Sequence, residues 1–281
     1  MPMPHILGAD HVVVTVRDLD ASAAAWAKLG FTVSPRGTHS PHLGTGNYTI
    51  MFQDDYLELL GVLTPTDQNK PTQDFLAARE GIERTAFTTD SAAGGAAELK
   101  KRGLEPLGPV HFGRPVDLPG GGTGEAKFNV FRWPLLENPG GMRIFACEHL
   151  SRHTVWIPEL MVHANGAKAI ARIEILTADP KAAAEHMSRL IDEPAIADGA
   201  VWKVPSGGRR ADFVFLDAAA FAARYPDAVR AGATTSGAAA LVLVTDDLAK
   251  AKAIPGAVTT GSAVSIPASA ANGVVVSFVA R

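Results

Sequence analysis

The 281-residue sequence is short of several things, and each shortage excludes a class of protein. It has one cysteine, Cys147, so no internal disulfide can form, and a reducing compartment is expected. It has no basic excess: 26 Lys and Arg against 29 Asp and Glu leave a formal charge of −3. Without a positive field, nucleic acid is not an expected partner. No apolar run approaches the ~20 residues that span a bilayer, so no membrane partner is expected. The opening MPMPHILGAD has neither a basic stretch nor an apolar h-region, which argues against a secretory signal and for a cytoplasmic location.

What is present is an ordinary globular balance of 47% hydrophobic and 20% charged residues. At roughly 100–200 residues per domain the length predicts about two domains. The 27 glycines and 19 prolines favour many turns, and so short strands over long helices.

The strongest pattern is repetition. Residues 9–16 (ADHVVVTV) alternate like a strand, and DLDASAAAWAKL at 18–29 follows with an acidic N-cap, an Ala-rich body and Gly30 as stop. Three strand-like runs come next: Phe31 to Ser34, Asn47 to Phe52 and Tyr56 to Val62. This β-α-β-β-β order recurs from residue 84, with strands near 107–113, 127–133 and 143–149. It recurs again from 170, where Asp179 and Pro180 stand as N-cap and N1 and strands follow at 201–204 and 211–216. A fourth unit opens at 239–244 and closes with a strand at 273–279. The Asn-Gly turn in MVHANGAKA places a boundary at about residue 167, giving parts 1–167 and 168–281. The expected fold class is α+β, with four βαβββ units paired into two cupped mixed sheets.

Several runs carry a resemblance: DHVVVTVRDLD at 10–20, LGF at 29–31, GTGN at 44–47, DDYLELLGV at 54–62, HFGRPV at 111–116, CEHL at 147–150, VWIPE at 155–159 and HANGA at 163–167. In their order and spacing they resemble the vicinal oxygen chelate superfamily, and its glyoxalase-like branch in particular. The resemblance covers the first half nearly end to end; the second half looks like a ligand-poor copy. It implies sheets curled into an open cup with a divalent metal at the floor, the ligands lying on the first and fourth strands of each unit.

In unit one those positions hold His11 and Glu58. In unit two the fourth strand offers His149 as third ligand, with Glu148 as the fallback, and the first strand offers Glu83 or Arg84. The implied set is His11, Glu58 and His149, with Glu58 also able to move a proton. Imidazole and carboxylate suit Fe(II), Mn(II), Zn(II), Ni(II) or Co(II), and three protein ligands leave positions open for substrate oxygens. His111, Arg114 and Asn47 are candidate substrate-binding residues, Arg114 as a bidentate grip on a carboxylate. Trp156 and His163 are candidates for the rim.

Each residue also has a plainer reading. His11 alone reads as a strand histidine. Glu58, inside an apolar strand, needs a partner, and Arg84 in a buried ion pair would serve as well as a metal. His39 and His42 read as solvated loop residues. Cys147 reads as inert core, and PGGGTGEAKF at 119–128 as a hairpin turn, not a phosphate loop.

The expected function is a metal-dependent lyase or isomerase acting on a small molecule with vicinal oxygens. Ring-cleaving dioxygenase is open too, although no unit pair shows histidine on both first strands, as the extradiol members do. The other class is a metal-free protein that sequesters a small molecule. A homodimer through strand edges is a further expectation.

Overall fold

The computed structural model describes residues 3–118 and 121–281. The chain's first two residues and the Pro119–Gly120 part of the expected hairpin turn lie outside the described residues. The first sheet comprises β1 (Ile6–Val16), β2 (Gly37–Thr38), β3 (Thr45–Met51), β4 (Tyr56–Val62), β5 (Gly81–Thr89), β6 (Leu107–Asp117), β7 (Thr123–Arg132) and β8 (Arg143–His149). Their order in space is β2-β3-β4-β1-β5-β8-β7-β6. Helices α1 (Leu19–Lys28), α2 (Lys70–Ala78) and α3 (Ala92–Lys101) lie between strands of this half.

The second sheet runs through β9 (Ala167–Leu176), β10 (Ile196–Asp198), β11 (Val201–Pro205), β12 (Asp212–Leu216), β13 (Gly237–Thr245), β14 (Val258–Thr260), β15 (Ala263–Ile266) and β16 (Val275–Ala280). Its helices are α4 (Pro180–Ile191), α5 (Ala218–Arg224), α6 (Asp227–Arg230) and α7 (Leu248–Lys252). The order β10-β11-β12-β9-β13-β16-β15-β14 repeats the first sheet strand for strand. This is the expected α+β architecture of paired βαβββ units. The first sheet ends at His149 and the second begins at Ala167.

Local chemistry explains the element ends. Asp18 caps α1 by accepting from the Ala21 N–H at 2.9 Å, and Asp179 caps α4 through Ala182 N–H with Pro180 at the first turn. In α3 the cap is Ser91, not an acid; Asp90 instead bonds His5. Phe31–Ser34 forms no strand. Its one rung is a reciprocal pair at Ser34 and Thr49, and Pro35, with no N–H, ends the ladder there. Helices α2, α5 and α6, and strands β2, β10, β14 and β15, have no counterpart in the sequence reading.

One apolar core runs between the two sheets. Phe87 of β5 meets Phe213 of β12 at 5.6 Å between ring centroids, and Phe31 stacks towards Phe278 at 6.2 Å. Trp26, fully buried, donates through Nε1 to Asn272 across the same interface at 3.0 Å.

Asp55 is buried at this junction and accepts from the Ile170 N–H at 3.2 Å. Burial pushes its carboxyl up to about 7, against the pull of the Ile170 hydrogen bond and nearby Arg210. Folding therefore favours the protonated acid, and its contribution, full below the ordinary value of 3.8, is lost as pH rises through about 7. Asp55→Asn, which keeps an acceptor for Ile170, is expected to stabilise the protein at pH 8 by on the order of 1–3 kcal/mol. At pH 4 the gain should vanish; melting curves at the two pH values check this.

The two cups differ in what fills them. In the second, Phe221 and Tyr225 of α5 and the loop behind it, with Val229 of α6, pack onto Leu176, Val214, Leu216 and Val275. The chain itself plugs that cup. In the first, the corresponding β4–β5 connection lines the wall with residues such as Asn69 and Thr72 and leaves a cavity of about 350 Å³.

Candidate active site in the first cup

The site is built around the central strand pair β1–β5. Their antiparallel register slips between Ala9 and His11, leaving Asp10 as the extra residue. A bulge of this kind turns two consecutive side chains towards one face, so Asp10 joins His11 although period-two alternation would oppose them. The mirrored slip leaves Glu83 extra beside Arg84.

Asp10 is fully buried and accepts three hydrogen bonds. His11 Nδ1 lies 2.7 Å and His149 Nε2 2.9 Å from Oδ1, and Thr88 Oγ1 donates to Oδ2 at 2.6 Å. Burial alone would raise the Asp10 carboxyl, but the charges and hydrogen bonds of His149 and His11 override it and hold it far below the carboxylate range. An ionised carboxylate only accepts, so His11 carries its proton on Nδ1 and keeps Nε2 as a base when neutral. The ring is stacked on Tyr56 at 4.3 Å, which fixes its plane.

Glu58 Oε2 lies 3.7 Å from His11 Nε2, and Oε1 accepts from Asn47 Nδ2 at 2.6 Å. Burial pushes Glu58 up, yet the charges of His11 and His39 with the Asn47 hydrogen bond carry it below its ordinary value. Gly37 makes room here: a Cβ on it would come 2.3 Å from Asn47 Oδ1 and 2.9 Å from Arg114 Nη1. Asn47→Ala is expected to raise the Glu58 pKa and so move the acid limb of any Glu58-dependent rate to higher pH, read from a pH–rate profile.

Arginines dominate the rest of the lining: Arg84, Arg114, Arg132 and Arg143 come from four different strands. Glu83, buried, binds both Arg84 (2.9 Å) and Arg143, and accepts from Thr15 at 2.8 Å. Phe112, Phe128 and Phe145 supply apolar wall.

The other sequence candidates fall in varied places. Asn47 and Arg114 line the cavity, as do His39, half-buried although the sequence placed it in solvent, and His42, which is exposed as expected. His111 is exposed on β6, bonded to Asn129 Oδ1 at 3.0 Å, and is not part of the cavity wall. His163 is a buried brace, accepting from Thr32 N–H at 3.0 Å and donating to the Met51 carbonyl at 2.8 Å. Trp156 is buried against His149 at 4.8 Å, beneath the site and not at a rim. Glu148 faces away, accepting from the Ala92 N–H at the start of α3. Arg84 partners Glu83 by ion pair and reaches Glu58 through its field alone. Cys147 lines the cavity, and burial pushes its thiol well above the ordinary value, as suits an inert residue.

Strand register tests the metal set. On β1 and β4, His11 pairs with Tyr56 and Val13 with Glu58; on β5 and β8, Arg84 pairs with Arg143 and Ala86 with Phe145. With the two bulges aligned, Arg84 corresponds to His11 and Phe145 to Glu58. Half of the four ligand positions thus hold a guanidinium and a phenyl ring. His149 lies four residues beyond Phe145, at Asp10. In the second sheet the same positions are Arg172, Val214, Ala240 and Ser277.

Among the described residues, Asp10, His11 and His149 form the one group of three whose donor atoms lie within 4.8 Å of each other and could hold an ion. As folded, these donors are spent on one another. Of the implied three-ligand set, His11 and Glu58 lie 3.7 Å apart while His149 turns its Nε2 to Asp10, and Arg84 and Arg114 add positive field at Glu58.

Two antiparallel-paired βαβββ units around an open cup define a protein of the vicinal oxygen chelate type. The profile of the Glyoxalase-like domain family matches residues 9–191, and the chain belongs to that family. A comparison with curated proteins found no match. Among solved structures it is similar to a hypothetical protein from Staphylococcus aureus, at 14% identity and TM-score 0.72, over 97% of this chain and 99% of that one. It is also similar to a triple mutant of 4-hydroxymandelate synthase from Streptomyces coelicolor, at 12% identity and TM-score 0.61, over 98% and 93%. Methylmalonyl-CoA epimerase from Mycobacterium tuberculosis aligns at 16% identity and TM-score 0.40, over 53% of this chain and 91% of that one. The likenesses to the first two show the fold. No helix among the described residues is long and apolar enough to cross a membrane.

Proposed function

We propose that the chain is a proton-transfer enzyme, of lyase or isomerase type, acting on a small molecule with an anionic oxygen group in the first cup. The observation that supports this most is the placement of His11. Asp10 holds its Nδ1–H, and its Nε2 faces Glu58 at the floor of a cavity sized for a metabolite. Asp10 fixes the tautomer and steadies the imidazolium that forms when Nε2 takes a proton, and the same Nε2–H gives it back; Glu58, ionised and 3.7 Å away, is a second base. Arg84 and Arg114 supply the positive charge that stabilises negative oxygen as it develops.

The test is deuterium uptake. A panel of 2-oxo, 2-hydroxy and 3-oxo carboxylic acids is incubated with the protein in D2O and followed by proton NMR. Loss of a C–H signal from at least one, abolished in His11→Gln, supports the enzyme. Tight binding with no exchange in any member supports the sequestering protein instead.

A second reading keeps the divalent metal, held by Asp10, His11 and His149. Its support is the closeness of those donors. It requires both imidazole protons now shared with Asp10 to leave, and zinc, manganese or iron titration with elemental analysis decides it.

A further inference from the structure

The cavity has an excess of guanidinium with a definite layout. Four arginines face it; the carboxylates on its wall are Glu58 and the exposed Asp67, and Glu83 stands behind Arg84 and Arg143. Glu83 is saturated by Arg84, Arg143 and Thr15. Among the described residues, neither Arg114 nor Arg132 makes a side-chain hydrogen bond or ion pair.

These two unpartnered groups stand in different neighbourhoods. Arg114 shares the field of Glu58 and Tyr56 and stands with Asn47 around Gly37. Arg132, on the neighbouring strand β7, stands against Arg84 instead. Arg84 already pairs with Glu83, so the unmet charge of the two is that of Arg132.

Arg132 also opens onto an annex of about 30 Å³, lined with it by Arg84, Arg143, Phe145, Trp133 and Glu137, whose carboxylate is engaged by His186 at 2.6 Å. That volume is room for one small polar group and not for a second ligand. Trp133 is 1% exposed, and its Nε1 has no hydrogen-bond partner among the described residues. A buried donor left open beside three guanidiniums is a place for an acceptor oxygen.

We infer that the ligand of this cup carries two anionic oxygen groups. One lies against Arg114, and the other lies at the annex between Arg132 and Arg84, within reach of Trp133 Nε1. The second group is a carboxylate or a phosphate-type anion. The inference rests on the anionic-substrate reading above and deepens it by fixing the number of charged ends. The apolar wall of Phe112, Phe128 and Phe145 sets the span between them as hydrocarbon.

The test measures affinities by calorimetry for matched probes: butyrate, pentanoate and hexanoate against succinate, glutarate and adipate, with 3-phosphonopropionate beside succinate. At least one two-headed probe is expected to bind about tenfold or more tighter than its one-headed partner, the increment of one charge-assisted pair. In Arg132→Gln, at an exposed position where the fold has nothing to lose, that ratio should fall to about one. A tighter phosphonate than succinate would assign the annex to a phosphate-type group, the reverse to a carboxylate. Monoacids that bind and weaken in Arg114→Gln, with no gain from a second acid group, would overturn this inference and leave the reading beneath it standing. Failure of every probe to bind would overturn both, and so would a two-headed preference that survives Arg132→Gln overturn the annex.

Discussion

Replacement of His11 by glutamine is expected to lower proton exchange on the substrate by about 10²–10⁴-fold, the range for removal of a positioned general base. Glutamine keeps a hydrogen-bonding side chain next to Asp10, so the Asp10–His149–Thr88 network can persist and the fold with it. What disappears is the Nε2 lone pair facing Glu58. The measurement is the rate of deuterium incorporation, with ligand affinity recorded on the same samples. A large fall in rate with affinity changed little places His11 in the chemistry. A parallel loss of both would make it a binding residue only, and an unchanged rate would remove it from the mechanism.

The second large effect concerns stability. Glu174 on β9 is wholly buried, bonded by Arg172 Nε and Arg224 Nη1 at 2.6 Å each and by the Tyr225 hydroxyl at 2.9 Å. Glu174→Ala leaves two guanidiniums and a phenol facing each other with no counter-charge. Breaking a buried pair by removing one member costs about 3–5 kcal/mol. Arg224 and Tyr225 end α5, so the loss should loosen the plug of the second cup as well as lower the melting temperature. Denaturant unfolding of the variant measures the first effect, and hydrogen exchange across 217–231 the second. A destabilisation near zero would mean that the network is carried by solvent and not by Glu174.

The fold was largely legible in the sequence because its determinants are local. Alternating β-branched runs, Ala-rich helices with Asp18 and Asp179 as caps, and Gly30 in a left-handed turn (φ 84°) repeat in the same order. What escaped was non-local. Phe31–Ser34 has strand composition, but its ladder has one rung before Pro35. Helix α5 is Ala-rich and short, and its position in the second cup depends on where Phe221 and Tyr225 find apolar surface.

The site shows the same division. His11 and Glu58 stand out as polar residues in apolar strands, and the structure sets them 3.7 Å apart. Asp10 was invisible for a physical reason: alternation assigns it to the opposite face, and only a bulge, set by the pairing of β1 with β5, turns it inward. His149 was singled out for its motif, yet its partner is Asp10. The unit-two position left between Glu83 and Arg84 is settled by the mirrored bulge, which aligns Arg84 with His11. The four arginines are scattered over 60 residues of sequence, and only the curling of the sheet gathers them.

We propose that the first cup works through a histidine–carboxylate floor and arginine charge, with a guanidinium and a phenyl ring at two of the four ligand positions. Elemental analysis of protein purified without a metal-affinity tag, then titrated with iron, manganese, zinc, nickel and cobalt, tests it most directly. The account predicts less than about a tenth of an equivalent bound, with proton exchange unchanged by chelator. A stoichiometric ion, lost together with activity in His11→Ala and restored by adding metal to wild type, would contradict it.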